Sequence, residues 1–116
     1  MGVRDWFRRR QAGPTGPVDG PGMVVDLPAV RAHFEHFVKT RRGVEAYIEP
    51  ATNVSAHSVV LVATDGEWTR RAVGTRKAGF DMAQSLGIPA YDVLLVGYPS
   101  RMREWSSRRR REQGGS

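Results

Sequence analysis

The chain has no cysteine among its 116 residues. Disulfides, thiol catalysis, thiolate metal sites and iron–sulfur clusters are therefore excluded. Lysine is scarce as well: Lys39 and Lys77 stand against 16 arginines. That skew runs through the whole chain, so it reads as GC-rich coding rather than as selection for phosphate forks. No apolar run approaches the roughly 18 residues of a membrane span. The longest is Val59-Val60-Leu61-Val62-Ala63. No apolar stretch follows Arg8, Arg9 and Arg10, so neither a Sec nor a twin-arginine signal is expected. The expected location is the cytoplasm.

The familiar catalytic signatures are missing too. There is no Gly-x-Ser-x-Gly elbow, no Gly-x-Gly-x-x-Gly fingerprint, no Walker loop and no His-Glu-x-x-His. His33 and His36 have the spacing of two metal ligands on one helix, with His57 as a third. On a helical wheel, however, His33 flanks the apolar side and His36 the polar side. Glu45 and Glu49 share one face of a strand but lie about 13 Å apart by strand rise. A glycosidase pair needs about 5–9.5 Å. Asp65 and Glu67 flank a turn, which explains them without catalysis. These patterns lead to no expected metal or cofactor.

The formal net charge is +6, and it is unevenly placed. Residues 25–100 carry equal numbers of basic and acidic side chains, so the excess belongs to the two ends. Residues 1–24 join Trp6, Phe7 and Arg8–Arg10 to a stretch of four glycines and three prolines. That composition buries too little apolar area to offset chain entropy and reads as a flexible tether. Residues 106–116 read as an Arg-rich tail, leaving 25–105 as the folded domain.

Within that domain Asp26 is a helix cap and Pro28 suits a first turn. Val30, Phe34, Phe37 and Val38 recur on one helical face, and Gly43 is the stop. Residues 44–49 alternate as a half-buried strand, with Val44, Ala46 and Ile48 inward. Ser58–Thr64 reads as a central strand, Asp65-Gly66 as a hairpin turn and Glu67–Val73 as the returning strand. Thr75 caps a second helix that Gly87 closes, and Ile88–Val96 reads as a further strand. A short basic helix begins at Ser100 and frays into Arg108–Arg111. The expected class is α+β: a three- to four-stranded, mainly antiparallel sheet with two packed helices and a short basic C-terminal helix.

Two sets of residues are candidates for function. Arg8, Arg9, Arg10, Arg108, Arg109, Arg110 and Arg111 would neutralise phosphates of nucleic acid, with Trp6 and Trp105 stacking on bases. Trp6 and Phe7 beside three arginines would also suit an anionic membrane surface. Separately, Tyr91, Asp92, Tyr98 and Arg101 gather around a Gly-Tyr-Pro turn and would line a small ligand pocket.

The opening Gly-Val-Arg-Asp-Trp-Phe-Arg-Arg-Arg, the middle Arg42–Pro50, and the late Gly87–Val93 and Gly97–Met102 segments resemble small uncharacterised actinobacterial proteins, some labelled oxidoreductase. The resemblance spans most of the chain and carries over no catalytic residue. It implies a small cofactor-binding enzyme, such as a flavin protein, as the alternative. The leading expectation is a non-enzymatic binding or adaptor protein. Its neutral core would meet a protein partner or a second copy, and its Arg-rich ends would make weak polyanion contacts.

Overall fold

A computed structural model of the chain describes residues 24–114. The expected tether of residues 1–24 therefore lies outside the described residues, apart from Val24. So do Trp6, Phe7 and Arg8–Arg10.

Helix α1 spans Leu27–Thr40. The Asp26 carboxylate accepts from the Ala29 N–H at 3.1 Å, and a proline occupies the first turn. Both features satisfy or remove amide donors that a helix start leaves unpaired. Val30, Phe34 and Phe37 form the buried stripe. Strands β1 (Glu45–Glu49), β2 (His57–Val62) and β3 (Trp68–Gly74) follow as an antiparallel meander. The β2–β3 turn uses Asp65 Oδ1, which accepts from the Glu67 N–H at 2.9 Å.

Helix α2 (Arg76–Leu86) starts with the Thr75 hydroxyl accepting from the Ala78 N–H and ends at left-handed Gly87. It carries the chain across one sheet face to the far edge. There β4 (Ala90–Asp92) pairs parallel to β1, giving the order β3-β2-β1-β4. Short helix α3 (Val93–Val96) and helix α4 (Ser100–Gly114) complete the described chain.

The architecture is α+β, with a four-stranded, mainly antiparallel sheet. Two helices pack on one face: α1 and α2 cover Val44, Ala46, Ile48, Val59, Leu61, Ala63 and Val73. On the other face Tyr47, Val60 and Val62 meet Met102 of α4, with Trp68, Tyr91 and Val93 around them. Burial on both sides explains why β2 reads as an unbroken apolar run.

Three expectations need correction. Strand β1 is not half-buried by alternation, because Tyr47 on its second face lies under α4. The strand expected over Ile88–Val96 stops at Asp92, whose carboxylate accepts from the Leu94 N–H and turns the chain into α3. Helix α4 does not fray at the arginines: Arg108–Arg111 stand inside it, so residues 106–114 continue the fold.

Gly66 joins the β2–β3 turn to α4. Its φ is +95°, and a Cβ there would collide with the Arg101 carbonyl and crowd Trp105. Gly66→Ala is expected to destabilise the protein by about 2 kcal/mol or more, combining strain with displacement of α4. Urea unfolding checks this, and an unchanged midpoint would contradict it.

Candidate polyanion interface

On β1 the side chains of Glu45, Tyr47 and Glu49 project from the second face of the sheet. Register places Val60 opposite Arg70 and Glu49 opposite Ser58, so Arg70 reaches Glu49 diagonally across β2. Both Arg70 bonds to Glu49 measure 2.9 Å. Ser58 Oγ donates to the same carboxylate at 2.7 Å, and the Tyr98 hydroxyl donates to Glu49 Oε2. Burial alone would raise the Glu49 pKa, but the donations from Arg70, Tyr98 and Ser58 bring it below its ordinary value of 4.5. Tyr98 is shifted upward by burial and by donating to that carboxylate. A cavity of about 400 Å³ beside the cluster is lined by Glu49, Thr52, Ser55, Ser58, Arg70 and Tyr98.

At the other end of β1, Arg101 Nη2 donates to Glu45 at 2.8 Å and its Nε donates to the Ala63 carbonyl at 2.9 Å. Tyr47 donates to Glu45 at 2.8 Å. Burial pushes Tyr47 up to about 12, reinforced by that hydrogen bond. Burial opposes ionisation of Glu45, yet Arg101 and Tyr47 hold it below the usual value. The two carboxylates thus act separately, each anchoring one end of the Tyr98–Arg101 segment.

That anchoring fixes the orientation of α4. Met102 is buried against the sheet, and the Trp68 indole N–H donates to Ser106 Oγ at 2.9 Å. Arg103 and Arg108–Arg111 point to solvent. Arg108 donates to the Asp65 carbonyl at 3.1 Å, and Arg110 donates to Ser107 Oγ at 3.2 Å. Among the described residues six ion pairs form, and Arg101–Glu45 is the one that involves α4. Arg31, Arg41, Arg70, Arg76 and Lys77 all meet carboxylates. Among the described residues Arg103 and Arg108–Arg111 meet none.

The residues expected to line one ligand pocket each meet a different partner. Tyr98 joins Glu49, and Arg101 joins Glu45. Tyr91 lies against Tyr47, with ring centroids 5.5 Å apart. Asp92 turns to Arg76 at 2.9 Å, and that contact, with the Leu94 N–H, lowers its pKa. Trp105 is half-buried beneath the Arg109 guanidinium, 5.3 Å from the ring centroid, so that face is already occupied. His33 bonds Thr69 Oγ1 at 2.8 Å, the reverse side of the sheet from α4.

Sequence reasoning missed the convergence of Glu49, Ser58 and Arg70. A two-residue Asp65-Gly66 turn would have placed Val60 opposite Arg71; instead the Ala63 N–H donates to the Glu67 carbonyl and the Gly66 N–H to the Ala63 carbonyl, and this longer turn places Val60 opposite Arg70. No family model matches this chain, and neither a curated protein nor a solved structure is significantly similar to it.

Acid should loosen this face. Both carboxylates have lowered folded-state values, so their contribution is complete above about pH 4.5 and is lost as pH falls through those values. Glu49→Gln is expected to cost about 1–2 kcal/mol at neutral pH, because Arg70 is only partly shielded from water. It should also flatten the acid branch of the stability profile. Urea midpoints measured from neutral pH down to acid check both, and parallel wild-type and variant profiles would contradict the account.

Proposed function

We propose that the protein is a non-enzymatic binding or adaptor protein whose helix α4 engages a phosphate-bearing polyanion. One observation carries this reading: Arg103 and Arg108–Arg111 gather on one ordered helix without a carboxylate partner among the described residues, while Arg31, Arg41, Arg70, Arg76 and Lys77 of the body are paired. Guanidinium groups suit bidentate phosphate contact. A helix docked at one end presents them with less conformational loss than a loose tail. Any contribution from Trp105 comes through its hold on Arg109 rather than through base stacking.

The alternative, a small cofactor-binding enzyme, draws less support. Its expected residues Tyr91, Asp92, Tyr98 and Arg101 are each committed to a different partner. Among the described residues no helix is long and apolar enough to cross a membrane. The proposed place of action is the cytoplasm.

Replacing Arg108, Arg109, Arg110 and Arg111 together by glutamine keeps good helix formers while removing charge. Binding to duplex DNA, used as a regular array of phosphates, should weaken at every salt concentration. The slope of log affinity against log salt should become shallower by about 3–4, roughly one for each phosphate no longer neutralised. Fluorescence anisotropy across a salt series reads both quantities. Identical affinity and slope for variant and wild type would overturn the proposal.

A further inference from the structure

Helix α3 is a firmly built turn that shows apolar side chains to water. Asp92 caps it through the Leu94 N–H at 2.8 Å and is itself tied to Arg76. The Gly97 N–H closes it on the Val93 carbonyl at 2.8 Å, and Val93 packs into the second-face cluster with Met102. Leu94, Leu95 and Val96 nevertheless remain 72%, 82% and 56% exposed. Folding does not use them, and the capping holds them outward.

The turn ends at Val96 and α4 begins at Ser100, so the exposed side chains lie close in the chain to the start of that helix. Tyr98, immediately after the turn, is 39% exposed. It shares a surface concavity of about 380 Å³ with Arg103 and Arg110. The acidic groups nearest the turn are neutralised in place, Asp92 by Arg76 and Glu49 by Arg70. The surface running from α3 into α4 therefore offers an apolar turn, the partly exposed ring of Tyr98 and, beside that ring, Arg103 and Arg110.

We propose that this face docks on an anionic lipid surface, with Leu94, Leu95 and Val96 entering the acyl boundary. Tyr98 sits at headgroup depth, and Arg103 and Arg110 meet lipid phosphates. The inference rests on the polyanion reading of α4 and names its partner. Charge complementarity favours lipid over a second copy, since two identical arginine-bearing faces repel. Area favours it too: three side chains fall well short of the roughly 800 Å² per partner of a stable protein interface. Shallow insertion needs only a few apolar residues once basic groups supply attraction at the surface.

The test uses co-sedimentation of the full chain with phosphatidylcholine vesicles, with and without phosphatidylglycerol. Wild type should bind only the anionic vesicles. Leu94→Ser combined with Leu95→Ser alters exposed positions, so the urea midpoint should hold. That variant should lose about tenfold or more in vesicle affinity and keep its affinity for duplex DNA. Arg103→Gln combined with Arg110→Gln should weaken binding to both. Vesicle binding that follows the arginines but ignores the leucines would overturn the lipid inference and leave the polyanion reading standing. Vesicle and DNA binding indifferent to the arginines here and at positions 108–111 would overturn both. Self-association that the leucine variant abolishes, without vesicle binding, would assign the tip to a second copy and also overturn the lipid inference.

Discussion

The second face of the sheet depends on two carboxylates of one strand. Glu49 receives Tyr98, and Glu45 receives Arg101, so β1 grips both ends of the segment that leads into α4. Without that grip, Tyr47, Val60 and Val62 would face water on their outer side. Helix α4 would fare worse. An isolated helix of about fifteen residues is marginal even in favourable sequences, and this one crowds four consecutive arginines. Its order derives from docking through Arg101, Met102 and Ser106, and only slightly from its own propensity.

Docking also decides what the charge can do. Elsewhere on the body Arg31, Arg41, Arg76 and Lys77 are paired with Glu35, Glu67, Asp92 and Asp81. On the α4 side Arg70 and Arg101 meet Glu49 and Glu45, while Arg103 and Arg108–Arg111 of α4 are exposed. A net charge that composition assigns merely to a chain end thus becomes an oriented cationic surface. Beside it lies the apolar turn of α3, held in place by a capping aspartate rather than by burial.

Much of this fold is legible from local chemistry. Asp26, Thr75 and Gly87 mark helix ends because capping and left-handed geometry are decided by a few neighbouring residues. The stripe of Val30, Phe34 and Phe37 identifies α1 for the same reason. The remainder is settled by distant contacts. Val93–Val96 continues an apolar run, and periodicity cannot tell such a run from a strand. The Asp92 cap and Gly97 decide the matter. Tyr47 reads as an outward residue until α4 covers it, and α4 persists past Arg108 only because the sheet supports its first turns. Composition therefore reveals the basic helix as a source of charge, but not as a fixed one. Glu49, Ser58 and Arg70 converge only after three strands are placed in register.

The central claim is that α4 is a docked helix rather than a basic tail. Amide hydrogen exchange over residues 100–114 tests it most directly. The account predicts that amides from Trp105 through Arg109 exchange far more slowly than an unstructured chain, and that Arg101→Gln speeds them while leaving β2 protected. Exchange of those amides at unstructured rates in the wild-type protein would contradict it.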